Sequence, residues 1–394
     1  MTARKDKEWS VTGGARFARE ARIATVRYLQ DAPIARPWHL SKLLSSVGYH
    51  LAHHGNQAAA WATLFGGLGY RPPWPASWEE AIETILGDEA RYLAEADLYV
   101  LTPQMCDVVV AAAQSLTRED LELISRDDMP GPAGLIVLPH PVIVRAVTGE
   151  LADLRGFTWR YPIQLQVTSD GSRQLRHLPA VRMSTYHDTN GPVRPDTFLD
   201  FAAQARAQRT PLPPLLLDAM RCLPLQYKAS GHQVDTHQDF VTGVREMGSA
   251  VQQRAADLGF NENRVVGEYV SGAQVDDADD TFAARFLYAF WRLCEQRIAA
   301  TDQAGVNHSA RVLAERAGVS PDVRIVRLRR IEQAAAGPGQ PGREWHHRWV
   351  VRMHKVRQWY PNEGQHKIIY RGPYVKGPED KPFLEGEIVQ GLIR

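Results

Sequence analysis

A helix with two apolar faces constrains this chain more than any other feature. Phe282, Phe286, Phe290 and Leu293 recur at helical spacing, and Leu287, Trp291, Cys294 and Ile298 recur on a second face. A helix apolar on one face covers a core, whereas one apolar on two faces is enclosed by it. The segment 281–301 is therefore predicted to be a central buried strut. The acidic run Asp276, Asp277, Asp279 and Asp280 precedes it, where a helix N-terminus favours negative charge.

The rest of the chain must supply the layers around that strut. At 394 residues it exceeds one ordinary domain, and 44% apolar with 23% charged residues is a globular composition. Cys106, Cys222 and Cys294 lie far apart with no CxxC pair, which excludes a thiolate zinc site and a disulfide scaffold and points to a reducing compartment. Met1–Ser10 is polar and lacks the apolar stretch of a secretion signal, and no apolar run approaches the roughly 18 residues of a membrane span. These features predict a cytoplasmic protein with no membrane partner.

Periodicity divides the chain into four segments. Residues 1–125 read as helical, with helices over Ala15–Gln30 and Ser41–His54. A further helix is capped by Ser77 with Glu80 in a capping box, and another is capped by Thr102 with Pro103 at its first position. Residues 126–192 are β-rich: Leu135–Leu138, Val142–Val144, Phe157–Trp159 and Ile163–Thr168 are short β-branched or aromatic runs, and 169–172 is a turn. Short strands joined by turns favour a small antiparallel sheet. Residues 193–320 read as helical again, including 195–257, cut at Thr210–Pro214. Residues 321–394 form a basic β-rich end, in which Val323, Ile325, Val326, Leu328 and Ile331 alternate with arginines to give a strand with one basic face. The fold class is α+β: a helical N-terminal part, a small antiparallel sheet, a central buried helix and a basic C-terminal β-sheet.

Charge is concentrated at that end. Between Val323 and Lys376 there are twelve Lys or Arg against three Glu, in a chain whose net charge is +1. The run 345–360 interleaves these cations with Trp345, Trp349, Trp359, Tyr360 and three histidines. Such side chains hold phosphates and stack on bases. The candidate nucleic-acid contacts are Arg327, Arg329, Arg330, Arg348, Arg352, His354, Lys355, Arg357, Trp359 and Tyr360. The same pattern also suits a solvated basic face with its aromatics in the core.

The block containing Arg348, Val351-Arg352, His354, Gln358-Trp359 and Pro373-Tyr374-Val375-Lys376-Gly377-Pro378 resembles poorly characterised proteins of actinobacteria, their plasmids and their phages. So do Leu98–Met105 and Met129–Leu135, with Trp159 as a later aromatic. The resemblance covers about a third of the chain, in pieces. It implies a mobile-element setting and brings no catalytic residue with it. Met353 stands where those proteins have Gly, so no role needing bare backbone transfers to that position.

Other constellations are weaker. Ala310–Ser320 is similar to the first helix and turn of a helix-turn-helix, but the β-branched run after Pro321 suits a strand, leaving a helix ended by Gly318. His232, Asp235, His237 and Asp239 have spacing a metal would tolerate, and His50, His53 and His54 crowd a helix end; capping and dipole effects explain both groups. In Tyr186-His187-Asp188 a His stands beside an Asp, but adjacent residues seldom face each other, which weakens an acid–base pair. No phosphate loop, dinucleotide fingerprint, nucleophile elbow or HExxH is present, and no cofactor or metal is predicted. The reading that follows is a nucleic-acid-associated accessory or regulatory protein of a mobile element or its host, with DNA or RNA as partner. Two alternatives stay open. One is a nucleotide-acting toxin-like or defence enzyme using Arg352, His354 and Tyr374. The other is a regulator binding a protein through Trp74, Trp78 or Trp345. Whether the chain is an enzyme, and its oligomeric state, are left open by the sequence.

Overall fold

The computed structural model describes residues 9–40, 42–43, 57–146, 151–168, 175–194, 196–226, 242, 275–296, 298–329, 346–360, 365–378 and 381. The helix expected over Ser41–His54 and the His232–Asp239 group lie outside these residues almost entirely.

The N-terminal helices begin where their caps predict. Ser10 opens α1 (Val11–Asp31) by accepting from the Gly13 amide at 3.2 Å. After α2 (Gln57–Gly67), Ser77 opens α3 (Trp78–Glu95) by accepting from the Glu80 amide at 3.1 Å. The Glu80 carboxylate returns to the Ala76 amide, one residue before the cap, at 2.6 Å. Ser77 thus satisfies an amide that the first helical turn leaves without a partner, and Glu80 satisfies one just outside it. Strand β1 (Asp97–Leu101) runs into Thr102, whose hydroxyl caps α4 (Pro103–Ser115).

Crossover through α4 leads to β2 (Ala133–Arg145), parallel to β1. Strands β3 (Leu151–Thr168), β4 (Leu175–Asp188) and β5 (Leu215–Pro224) follow, each antiparallel to the last, with α5 (Asp196–Ala207) between β4 and β5. The short β6 (Val275–Asp276) pairs with the end of β2. Then come α6 (Phe282–Cys294), β7 (Ala299–Gln303), α7 (His308–Arg316) and β8 (Arg324–Leu328). The sheet order is β5-β4-β3-β2-β1-β8-β7, with β1 parallel to both neighbours. The α+β class holds. The expected antiparallel sheet is one wing of a larger mixed sheet that draws strands from all four sequence segments.

Helices cover both faces of this sheet. Alternate residues on one strand point to opposite faces, so Leu98, Val100, Leu135, Val137 and Ile325 enter one core with α1, α3 and α5. Tyr99, Leu101, Ile136, Leu138 and Val326 enter a second with α4 and α6. The predicted strut is α6. Phe286, Leu287, Phe290 and Trp291 are fully buried, and Phe286 stacks on Phe157 at 4.2 Å. The helix ends at Cys294 rather than near 301, and the chain re-enters the sheet as β7. The acidic run acts through direct capping: Asp277 accepts from the Thr281 and Phe282 amides, each at 2.9 Å.

Two local expectations change and a third holds. Leu215–Pro224, inside a stretch read as helical, is a strand, because its apolar run Leu215–Leu217 is buried when paired against β4. The strand expected over 323–331 is β8, flanked on both edges and buried on both faces at Ile325 and Val326, so it does not present one basic face. Arg324 is spent on Asp97 and Tyr99. The segment resembling a helix-turn-helix is α7, capped by Asn307 and ended at Gly318 with φ +65°, and β8 takes the place of a second helix. Among the described residues, no helix is long and apolar enough to cross a membrane.

Residues 346–360 and 365–376 form a bent two-stranded ribbon. Strand β9 (Trp349–Val351) pairs with β12 (Tyr374–Lys376), and β10 (His354–Tyr360) pairs with β11 (Gln365–Arg371), both antiparallel. The bend falls at 352–353 on one strand and 372–373 on the other. Gly372 has φ +101°, and a Cβ there would lie 2.9 Å from the Arg352 carbonyl oxygen, so the bend requires glycine.

Candidate nucleic-acid interface

The ribbon is anchored at one end and presented at the other. Trp349, Val350 and Val351 are buried, and β9 packs on α4. The Gln296 side-chain amide donates to the Pro373 carbonyl at 2.8 Å, and Arg348 Nε donates to the Lys381 carbonyl at 3.0 Å. Beyond the bend, β10 and β11 pack chiefly on each other.

The period of two then sorts β10 into faces. Lys355, Arg357 and Trp359 occupy alternate positions and are all exposed, whereas His354 and Val356 are half-buried. Trp359 is 49% exposed. The cross-strand partners of the three are Tyr370, Ile368 and His366. Lys355 Nζ lies 5.7 Å from the centre of the Tyr370 ring, within cation–π range. On the other face, His354 Nδ1 lies 2.9 Å from the Arg352 carbonyl oxygen. A carbonyl only accepts, so this contact places the proton on Nδ1. The His354 and Tyr374 rings are 6.2 Å apart.

The ten candidate residues therefore separate. Lys355, Arg357 and Trp359 share one exposed face. Arg327 is on β8 and pairs with Asp302 at 2.6 Å. Arg329 is exposed just beyond β8, where its amide donates to the Ile298 carbonyl at 2.7 Å. Arg348 is tied to Lys381, and Arg352 is half-buried at the bend. Tyr360 ends β10, with its side chain outside the described residues, as is Arg330. For the protein-binding alternative, Trp74 and Trp78 pack partly buried against the core, with Trp78 edge-on to Trp61 at 4.3 Å, and Trp345 lies outside the described residues.

Two buried polar clusters escaped the sequence reading. Glu89, on α3, is buried and takes a hydrogen bond from the Tyr186 hydroxyl. Arg182 lies 4.7 Å from the Tyr70 ring and 5.4 Å from the Tyr92 ring. Arg160 covers the other side of the group, 3.6 Å from the Tyr92 ring and 3.1 Å from Glu95. Glu89, Tyr92, Thr158, Arg160, Arg182 and Ser184 line a cavity of about 10 Å³. That is room for about one water, too little for a substrate, so the cluster reads as a polar staple between α3 and the sheet. Its signal was available: Glu89 falls on the apolar face of Ile82, Ile85, Leu86 and Leu93.

The second cluster joins His187 to Asp153. The imidazole pairs through Nδ1 with the fully buried Asp153 carboxylate, which also accepts from the Val193 amide at 2.9 Å. Asp188 pairs instead with Arg155 at 2.6 Å. An acid–base pair is thus assembled, but His187 Nε2 is closed from solvent and has no hydrogen-bond partner among the described residues. Burial pushes the Cys222 thiol up to about 11 and the Cys294 thiol up to about 12, and raises that of Cys106 further, which suits none of them as nucleophile. Among the described residues, no three metal-ligating side chains converge. Comparison with protein-family models, curated proteins and solved structures finds no match to this chain.

Proposed function

We propose that this chain is a nucleic-acid-associated accessory or regulatory protein, of a mobile element or its host, that holds its ligand on the exposed face of the β10–β11 ribbon. The observation that supports this reading is the alternation of Lys355, Arg357 and Trp359 on that face. Two cations about 7 Å apart, at the spacing of alternate strand residues, neutralise phosphates and release their counterions. The base of the ribbon is anchored to the body of the fold through buried Trp349, Val350 and Val351 and the Gln296–Pro373 hydrogen bond.

Fluorescence anisotropy with labelled DNA and RNA tests the reading. At about 50 mM salt the intact chain binds, and log K falls linearly with log salt concentration. Lys355→Ala and Arg357→Ala each reduce that slope by about 1. Absence of binding at this salt concentration defeats the proposal.

The nucleotide-acting alternative has one supporting observation. The Arg352 carbonyl orients the His354 ring through Nδ1, and the Tyr374 ring lies 6.2 Å away. Nucleotide turnover abolished by His354→Ala would favour this reading over the binding protein.

A further inference from the structure

We infer that the ligand of the ribbon is a single-stranded polynucleotide, with Trp359 stacked on an unpaired base while Lys355 and Arg357 hold the adjoining phosphates. This inference rests on the ribbon being a nucleic-acid surface and goes further by naming the form of the acid.

The argument turns on Trp359. Among the described residues, the exposed large apolar side chains are Val11, Leu313 and Trp359, and Trp359 is both the bulkiest and the most exposed, at 49%. It shares a face with two cations, at a strand position where the period of two required only something tolerant of solvent. An indole has two stacking faces and one donor, Nε1–H. Within a duplex the faces of the bases are covered by their neighbours, so a side chain meets only their edges. Edges are read by side chains that donate and accept in pairs, such as Asn, Gln or a bidentate Arg. An indole is poorly suited to that task. An unpaired base presents its whole face, and aromatic stacking on it tolerates any sequence.

The layout of the face agrees. The cations lie nearer the bend and the ring farther out, with about 7 Å between successive positions and all three on one strand. A single strand laid along β10 would meet Lys355 and Arg357 through its backbone and turn one base onto Trp359. Lys355 also lies over the Tyr370 ring, which steadies its long stem on this face. No base-specific contact is required, so the expected binding is sequence-tolerant.

The test uses the full chain at about 100 mM salt, with three fluorescein-labelled probes: a thymidine 12-mer, a uridine 12-mer and a blunt hairpin duplex of 12 base pairs. At least one single strand is expected to bind about tenfold or more tightly than the duplex, and the tighter of the two identifies DNA or RNA as the source. Trp359→Ala removes most of that preference by weakening the single strands more than the duplex, while Trp359→Phe retains part of it. Lys355→Ala and Arg357→Ala weaken all three probes alike. Because these side chains are exposed, the variants keep the wild-type melting temperature, which is measured alongside. Equal or tighter duplex binding overturns the inference and leaves the ribbon as a nucleic-acid surface. A preference that survives Trp359→Ala also overturns it. Binding to none of the probes overturns both this inference and the function it rests on.

Discussion

His187 is held by Asp153 from the neighbouring strand, not by Asp188 beside it in the chain. The contact lies beside a register shift in β3, where Arg155 is the extra residue between Leu154, opposite His187, and Gly156, opposite Tyr186. Strand pairing there brings together an imidazole and a carboxylate 34 positions apart in sequence. Asp188 is left to Arg155, whose guanidinium lies 4.0 Å from the Phe17 ring on α1.

Removing the buried carboxylate strands the imidazole. Asp153→Ala is expected to cost about 3 kcal/mol, because a buried polar group loses its partner and the Val193 amide loses its acceptor. Asp153→Asn retains an acceptor for that amide and is expected to cost less. Urea denaturation followed by circular dichroism measures both. Equal losses for the two variants would show that the His187 contact contributes no more than the space it fills.

The Glu89 cluster makes stability depend on pH with a definite sign. Burial raises the Glu89 carboxyl above its ordinary range, against the lowering effect of the Tyr186, Ser184 and Thr158 hydroxyls and of Arg182. A raised folded-state pKa means that the folded state binds the proton more tightly. The associated stability is fully present below the unfolded pKa and is lost as pH rises through the folded one. Wild type should therefore lose stability relative to Glu89→Gln above the ordinary carboxylate range, by up to about 1.4 kcal/mol per pH unit. Urea midpoints between pH 4 and 9 give the comparison, and a constant difference across that range contradicts it.

What the sequence made legible was local. The caps at Ser77 and Thr102, the end of α7 at Gly318 and the two apolar faces of α6 depend on residues within a turn or two of one another, and those were found. The parallel placement of β1 between β2 and β8 was not, because periodicity identifies a strand without naming its neighbours. Leu215–Leu217 was misread for a related reason: three consecutive leucines fit a buried helix or a buried strand, and only pairing with β4 decides. The candidate site divides the same way. Alternation in the sequence put Arg348, Arg352 and His354 on the basic face, but all three are half-buried and the exposed alternate positions of β10 are Lys355, Arg357 and Trp359. That Arg327 is engaged by Asp302 and Arg348 by Lys381 depends on distant chain and left no local trace.

Asp277 tests the origin of α6. Its carboxyl is raised to about 6 by burial and then by Asp280, while the Thr281 and Phe282 amides and Arg285 oppose the shift. Asp277→Ala loses both capping contacts and should cost about 1–2 kcal/mol. Asp277→Asn keeps an oxygen in place without the charge. Since the folded pKa is raised, wild type should lose ground to Asp277→Asn as pH rises from the ordinary aspartate range through about 6, and then hold a constant difference. Thermal melts of the three proteins at pH 4.5 and 8 are sufficient, and an Asn variant as unstable as the Ala variant would contradict the capping role.

Arg327 and Arg357 separate the proposed ligand face from the rest of the basic C-terminal segment. Both side chains are exposed cations, but Arg327 already faces Asp302 at 2.6 Å, and a phosphate there would meet a carboxylate as well. The pair is solvated on both sides, so breaking it should change stability by less than about 1 kcal/mol. Arg327→Ala is therefore expected to leave nucleic-acid affinity within about twofold. Arg357→Ala should lower it about eightfold at 0.1 M salt, as for loss of one phosphate contact. Anisotropy titrations of the two variants side by side make the comparison. Equal losses would spread the binding surface across β8 and remove the special standing of the β10 face.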